Sequence, residues 1–437
     1  MAEQRRSDAQ AHEPTAADIE EERISFQKIV NTFALYRQYG YTMVRRLQTQ
    51  YERISERHRE LLPNYRLKLS GLLNAVECNA QFVNQFIVDA ASVFGPEDAN
   101  VEEENQIEEE ADSKQHLSSS SASLESNTKT EEPTDTHRVD DQHPHPCSDQ
   151  KHDSSSHHSL DGDAFRLPQD DRLQPTASDM SKLKSTIRQF VRDWSAEGAK
   201  ERELCYGPLV EVLTKTYPPE IRRNIRVLSP GSGLGRLPWE VAKLGFSSQG
   251  NEFSFFMLIP SNILLNCISE PHSHKIYPYI HSSSNIMEVQ DQLRPVTIPD
   301  VSPRDLPPGS DFSMCGGEFV EVYGAQLSAW DCVLTPFFID TAHNVITYVE
   351  TIYDTLKPGG IWVNQGPLLY HYEDMSGEPS LELSYEEIRH IILKTGFSMV
   401  EEQRRSCPYT SDGRSMFQVV YECIFFVAVK PRVSEAH

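Results

Sequence analysis

The chain has 437 residues, 38% of them hydrophobic, with a mean hydropathy of -0.51 and a formal net charge of -24. This length allows two domains or one large domain with long extensions, and the low hydropathy predicts a solvated segment. So acidic a chain lacks the basic surface that nucleic acids and anionic membranes require, and neither is expected as a partner.

Other features of the composition favour a reducing compartment. The eight cysteines are scattered without a C-x-x-C pair, which predicts free thiols and neither a disulfide framework nor a metal site. The first 22 residues are polar and acidic, which argues against a secretory signal, and no apolar run is long enough to span a membrane. We expect a cytoplasmic location, with a nuclear one as the alternative.

A helical region follows a disordered N-terminus, residues 1–17. Between 18 and 95, apolar residues recur at spacings of three and four, as in Ile29, Phe33 and Tyr36; this period is typical of amphipathic helices. We interpret residues 18–95 as helices packed on the rest of the protein. A homodimer formed through them is the second interpretation.

Residues 96–177 have a different composition. Within 97–163, 19 Asp and Glu stand against 4 Lys and Arg, among serine runs and seven histidines. Such a stretch buries too little apolar surface to offset its ordering entropy, so we interpret it as a disordered insertion. Its histidines lie in a polar tract without periodic spacing, which favours a solvated linker over a metal site.

The remaining residues, 178–437, are predicted to form one α/β domain around a glycine-rich turn. Val227 and Leu228 form a short strand that leads into Gly231, Gly233 and Gly235, and a helical pattern follows. Glycines let a ligand approach the backbone closely, and a helix amino terminus stabilises its negative groups. This unit predicts a nucleotide-binding sheet.

An acid ends the second predicted strand. Glu252 lies 17 residues after Gly235, close to the roughly 20 expected of a carboxylate that accepts hydrogen bonds from ribose hydroxyls. The G-x-G-x-G spacing lacks the third glycine position of the dinucleotide fingerprint. It therefore favours S-adenosylmethionine over a dinucleotide, and a dehydrogenase is the weaker alternative.

The order of the later elements supports this choice. Arg294–Ile298 is predicted as the third strand, and Trp330–Asp340 as a strand running into an acid. A turn at Lys357–Gly360 precedes another strand, and Phe417–Val429 is predicted to close the sheet in antiparallel fashion. Alternating strands and helices with a late returning strand are the arrangement of a class I methyltransferase. Arg236 and His343 are interpreted as helix-face residues, and Trp239 and Trp362 as core.

Joined together, these segments resemble the carnosine N-methyltransferase family. The similarity covers about residues 178–430 and extends weakly into the N-terminal helices. Its longest stretches are QFVRDWS (189–195), PGSGLGRLPWEVAKLGF (230–246), QGNEFSFFML (249–258), WDCVLTPFFIDTAHNVI (330–346) and LKPGGIWVNQGPLLYH (356–371).

The resemblance implies S-adenosylmethionine as the methyl donor and assigns residues to it. Gln189 and Arg192 would face its methionine part, where a guanidinium suits a carboxylate. Glu318, where the family more often has Asp, would contact the adenine, and Pro336 also departs from the family's usual small residue. The implied donor site is Gln189, Arg192, Gly231, Gly233, Glu252, Glu318, Phe319 and Pro336.

For the acceptor, the resemblance implies a histidine-containing dipeptide and the residues Asp340, His371 and Tyr421. Methyl transfer needs a neutral imidazole nitrogen, and a carboxylate that accepts a hydrogen bond from the other ring nitrogen would fix the tautomer and offset the developing charge. His371 and Tyr421 would orient the dipeptide. Val419 replaces a tyrosine of the family, which bears on dipeptide preference.

Three alternatives stay open from the sequence. Asp340 serves equally well as the cap of a following helix, if the resemblance is set aside. The acceptor is alternatively a protein histidine or another small imidazole or amine. The chain is alternatively a scaffold that binds the donor without catalysis.

Overall fold

A seven-stranded sheet forms the centre of the structure, a computed structural model that describes residues 15–88, 90 and 168–432. One strand, Val420–Val429, runs antiparallel to both of its neighbours, and the other six strands run in the same direction as one another. This is the strand arrangement of class I methyltransferases, and it confirms the predicted fold class. In spatial order the strands are β5 (Phe312–Gly316), β2 (Ser247–Glu252), β1 (Arg226–Pro230), β6 (Trp330–Pro336), β7 (Leu356–Gly366), β9 (Val420–Val429) and β8 (Ser398–Pro408).

Helices cover both faces of this sheet, and a small second sheet, β3 (His274–Ile276) with β4 (Val296–Ile298), lies apart from it. In chain order the helices are α1 (Ala16–Arg53), α2 (Glu56–Glu60), α3 (Tyr65–Val88), α4 (Ala177–Trp194), α5 (Ala199–Cys205), α6 (Gly207–Thr216), α7 (Arg236–Lys243), α8 (Phe255–Asn262), α9 (Val289–Leu293), α10 (Phe319–Tyr323), α11 (Val345–Thr355) and α12 (Tyr385–Thr395).

Strand alternation divides the core into two layers. On one face Trp362 packs against Phe397 and Phe426. On the opposite face, Val363 belongs to a cluster that also contains Phe425. Successive strand residues point to opposite sides, so one strand supplies both layers. Trp362 is fully buried and Trp239 is 2% exposed, which confirms both as core residues.

The predicted third strand is wrong. Arg294–Ile298 contributes only β4, which pairs with β3 in the separate two-stranded sheet. The third parallel strand is instead β5, which pairs with β2 at the sheet edge. Its sequence, FSMCG, is five residues long and has no β-branched residue, so its local signal of a strand is weak.

The N-terminal helices share a core with the sheet domain. α1 and α3 pack antiparallel, with Phe33 against Phe86 and Tyr36 hydrogen-bonded to Asn79 at 2.9 Å. Phe33 also meets Phe256 of α8 edge to face, with ring centroids 5.7 Å apart. The two helices are therefore part of the wall that supports α8.

Most of the predicted acidic insertion lies outside the described residues, and so does the predicted disordered N-terminus up to residue 14. Residues 168–177 are described, and they include a 3₁₀ turn, Asp171–Leu173, before α4. In the described ranges, no helix is both long and apolar enough to cross a membrane.

Candidate active site

A cavity of about 730 Å³ opens at the carboxyl ends of β1, β2 and β6. Ligands of open α/β sheets bind at this edge. The structure brings together here all the residues predicted to bind the donor, together with His371, but neither Asp340 nor Tyr421 contributes to the lining. The predicted residues in the lining are Gln189, Arg192, Gly231, Gly233, Glu252, Glu318, Phe319, Pro336 and His371.

The glycine turn leaves room for a ligand because its backbone adopts conformations that side chains disfavour. Gly231, Gly233 and Gly235 have φ values of 64°, 54° and 77°, in the left-handed region that glycine enters without strain. A Cβ on Gly231 would stand 2.7 Å from Phe338 Cδ2. Any side chain at this position would therefore clash with the cavity wall.

Glu252 fixes this turn. Its Oε2 accepts a hydrogen bond from the Gly233 N–H at 2.8 Å, and its Oε1 accepts from the N–H groups of Phe253 and Ser254 at 2.9 and 2.8 Å. Burial raises the pKa of Glu252. A carboxylate has about four acceptor positions, so three bonds leave it room for a ribose hydroxyl.

Arg192 is a buried cation in the wall of the cavity. Its side chain is 5% exposed and lies among the rings of Tyr206, Phe337 and Tyr409, with Cζ 4.7 to 5.4 Å from their centroids. Its Nε forms a buried ion pair with Glu201, 3.3 Å from Oε1, but has no hydrogen-bond partner among the residues that the structure describes. Unused buried donors are costly, which points to an anionic ligand.

Gln189 and Glu318, both in the cavity lining, are held by local contacts. Gln189, one turn before Arg192 on the same helix, donates to Asp193 Oδ2 at 2.9 Å. Glu318 caps α10, and its Oε2 accepts from the N–H groups of Val320 and Glu321 at 2.6 and 2.9 Å. Its other oxygen remains available for an exocyclic amine. Phe319, 2% exposed, presents an aromatic wall beside it.

Asp340 lies immediately behind the cavity wall, four residues after β6 ends. Its Oδ2 accepts from the Leu369 N–H at 2.8 Å, and its backbone oxygen accepts from the His371 N–H at 3.2 Å. Burial raises the pKa of Asp340 to about 6. The cap of α11 is Asn344, whose Oδ1 accepts from the Ile346 N–H. The alternative interpretation of Asp340 as that helix cap is therefore wrong.

His371 and Tyr421, the other two residues predicted to bind the methyl acceptor, lie at different distances from the cavity. His371 is on the cavity rim, where partial burial lowers the pKa of its imidazole. Tyr421 is on β9, with its ring 6.5 Å from that of Phe337. Since Phe337 lines the cavity and Tyr421 does not, Phe337 lies between the tyrosine and the donor site.

Sequence reasoning missed two aromatic residues of this site. Phe337 and Tyr409 both line the cavity, and their ring centroids are 4.8 Å apart. Phe337 has a φ of 52°, a rare conformation for a residue with a side chain and one that often marks functional sites. Its position next to Pro336 at a strand end was the available signal; Tyr409 is far away in sequence and gave none.

Two residues predicted to lie on helix faces behave differently. His343 precedes α11, lines the cavity, and stacks on Tyr372 with ring centroids 3.6 Å apart. Arg236 is buried, with Nη1 2.6 Å from Asp300 Oδ1. The interpretation of His343 as a helix-face residue is therefore wrong. That of Arg236 is confirmed, because Arg236 begins α7 and its Nε lies 2.8 Å from Oε1 of Glu240 on the same helix. Among the residues that the structure describes, no three His, Cys, Asp or Glu side chains are grouped to hold a metal.

This strand order, glycine turn and acid at the end of β2 define a class I S-adenosylmethionine-dependent methyltransferase. A family model described as carnosine N-methyltransferase matches residues 169–432. The chain belongs to the carnosine N-methyltransferase family.

Individual relatives support this assignment. The carnosine N-methyltransferase of Mus musculus is 39% identical over 423 residues, which cover 96% of this chain and 89% of the relative. The enzyme of the same name from Dictyostelium discoideum is 37% identical, covering 92% and 76%. That of Rattus norvegicus is 51% identical over 265 residues, covering 60% and 66%. The similarity thus includes the N-terminal helices as well as the sheet domain.

Proposed function

We propose that this protein transfers a methyl group from S-adenosylmethionine to an imidazole nitrogen of a histidine-containing dipeptide, converting carnosine to anserine. Relatives named carnosine N-methyltransferases align with up to 96% of the chain. The structural observation that carries the proposal is Asp340, a buried carboxylate that is hydrogen-bonded to the segment carrying His371.

The cavity residues suit the donor. The Arg192 guanidinium has N–H groups in a fixed arrangement that can bind the carboxylate of S-adenosylmethionine. Glu252 can still accept a hydrogen bond from a ribose hydroxyl. Because Gly231 has no Cβ, the cavity wall avoids the clash that a side chain there would make with Phe338. When bound, the sulfonium supplies an electrophilic methyl group, so no metal or covalent enzyme intermediate is required.

The protein's part in the chemistry is orientation and charge. Asp340 uses one oxygen to accept from Leu369 and has lone pairs left for the protonated nitrogen of the acceptor imidazole. That hydrogen bond would aim the other nitrogen at the methyl group and offset the positive charge that develops on the ring. In a buried site this electrostatic contribution is larger than in water. Positioning by His371 and by the Phe337 and Tyr421 rings would supply the remainder.

The test is a methyl-transfer assay with isotopically labelled donor and carnosine, with free histidine and a peptide containing an internal histidine as comparison acceptors. We expect a product heavier by one methyl on the imidazole of the dipeptide alone, and transfer slowed by about 100-fold or more in Asp340→Asn. Transfer to the internal histidine and not to carnosine would replace the proposed acceptor. Donor binding without transfer to any imidazole would support the scaffold alternative.

A further inference from the structure

Glu201, on α5, is a buried acid directly behind the wall of the donor cavity. Its side chain does not line that cavity, but its Oε1 lies 3.3 Å from Nε of Arg192, which does. The residue is only 8% exposed, so the two charges face each other away from bulk water. Glu201 can therefore influence a ligand in the cavity through Arg192 without touching it.

The backbone after β8 holds the Glu201 carboxylate in place. Its Oε1 accepts a hydrogen bond from the Thr410 N–H at 2.6 Å, and its Oε2 accepts from the Ser411 N–H at 3.3 Å. Burial raises the pKa of Glu201, and Arg192 together with these two N–H groups opposes that rise. The ring of the preceding residue, Tyr409, lies 4.7 Å from Arg192 Cζ. A carboxylate anchored in this way stays beside Arg192 when a ligand enters the cavity.

A second acid near Arg192 is occupied by neutral groups. Asp193 Oδ1 accepts from the Tyr206 hydroxyl at 2.9 Å, and its Oδ2 accepts from the Gln189 amide at 2.9 Å. The ion pair that Arg192 forms is the one with Glu201. An anionic ligand at Arg192 would therefore be the second anion on a cation that a fixed carboxylate already balances.

We propose that Glu201 is a positioning residue that weakens the binding of the donor and of its demethylated product, and so promotes product release. The inference rests on the proposed function, in which Arg192 binds the carboxylate of S-adenosylmethionine. The carboxylates of Glu201 and of the donor would then share one buried cation, and their repulsion is weakly screened there. S-adenosylhomocysteine keeps the same carboxylate after the methyl group has left, so the repulsion acts equally on the product.

The test compares the wild type with Glu201→Gln by calorimetric titration at about pH 8, well above the pKa of ordinary carboxyls. The glutamine has the same shape and its oxygen can still accept from the Thr410 N–H, so the substitution removes mainly the charge. We expect the Kd values of S-adenosylmethionine and S-adenosylhomocysteine both to fall by about 3- to 10-fold. Product inhibition should strengthen by the same factor, whereas a merely structural defect would raise both Kd values.

Two controls isolate the carboxylate. Decarboxylated S-adenosylmethionine lacks the group that competes for Arg192, so its Kd should not fall in Glu201→Gln. Glu203→Gln removes the same charge from an exposed position two residues further along α5, and it should leave every Kd and the product inhibition unchanged. In Glu201→Gln without ligand, Arg192 is left unbalanced, so we expect a melting temperature lower by about 3–6 °C. Saturating donor should raise that temperature by more than it does in the wild type.

The remaining outcomes separate this inference from the proposed function. An unchanged or higher Kd of S-adenosylmethionine in Glu201→Gln, with the wild type still preferring it to the decarboxylated form, would overturn the role of Glu201 and leave the proposed function intact. An equal fall in the Kd of the decarboxylated form would also overturn that role, because the effect would not act through the carboxylate. If neither protein distinguishes the two forms, Arg192 does not bind the carboxylate, and the inference fails together with that part of the proposed function.

Discussion

At the residue scale, Asp340 has two properties that suit the role proposed for it in methyl transfer at neutral pH. It is 4% exposed, so its interaction with a charged ring is weakly screened. Burial raises its pKa to about 6, so the carboxylate is ionised at pH 7 and becomes protonated below pH 6. The proposed mechanism requires a neutral acceptor and a charged Asp340. At low pH the acceptor imidazole becomes charged and Asp340 becomes neutral, so neither requirement is met.

The pH dependence of kcat/KM tests this role. An acceptor imidazole of pKa about 6.5 and the carboxyl of Asp340 should together give log kcat/KM a slope that approaches two about one pH unit below the lower of the two pKa values. In Asp340→Asn the rate should fall by about 100-fold or more, and the slope should become one, because only the imidazole still titrates. Donor affinity should be unchanged by calorimetry. A slope of two that persists in the variant would show that another group is responsible.

Glu252 is predicted to support the donor site in two ways: it holds the backbone of the glycine turn, and it binds the donor. In Glu252→Gln, the amide oxygen can still accept from the N–H groups of Phe253 and Ser254, but the amide nitrogen cannot accept from the Gly233 N–H. We expect a loss of about 1–3 kcal/mol in the free energy of unfolding and a donor Kd raised by about 10- to 100-fold. Denaturant unfolding and calorimetric titration measure the two effects.

Glu211→Gln is the control for this prediction. Glu211 is exposed and pairs with Lys215 on the surface of α6, so the change should cost less than about 1 kcal/mol and leave donor binding intact. A Glu252→Gln protein with the affinity of the wild type would remove Glu252 from the donor site.

At the element scale, the glycine turn is the part of the site most narrowly restricted by backbone geometry. Gly231→Ala would place a methyl group 2.7 Å from Phe338 in a backbone conformation with a φ of 64°. We expect about 1–3 kcal/mol of destabilisation and loss of donor binding, measured by thermal unfolding and titration. Gly207→Ala is the control: nothing lies within 4 Å of the added Cβ, and its φ is not positive. Stability should stay the same or rise there.

The elements that sequence reasoning predicted correctly are those with strong local patterns. The β1–α7–β2 unit has a strand, three glycines and an acid within about thirty residues, and these features indicated the position of the cavity before the structure was known. β5 and β8 were missed because they are edge strands: β8, with the sequence SMVEEQRRSCP, carries the charges that protect such edges from further pairing. The contact between Phe337 and Tyr409 depends on tertiary packing and has no local signal.

At the scale of the whole molecule, the N-terminal helices and the donor cavity are connected through aromatic packing. Phe33 of α1 is fully buried and touches Phe256, which lines the cavity. Phe86 of α3 meets Phe190, a neighbour of Gln189 on α4. The helices that carry the donor-binding residues are therefore supported from behind by α1 and α3, and we expect the two parts to unfold together.

Phe33→Ala tests this coupling. Removing a fully buried ring should cost about 3–5 kcal/mol in the free energy of unfolding, and the loss of support for Phe256 should weaken donor binding. Leu67→Ala on α3 is the control, since that side chain is 71% exposed and its loss should cost within about 0.5 kcal/mol. If the helices and the sheet form one cooperative unit, two probes of the unfolding of Phe33→Ala should give coincident transitions. The probes are far-UV circular dichroism and the amount of donor that remains bound. An early helical transition with donor binding retained would show that α1 and α3 are dispensable for the site.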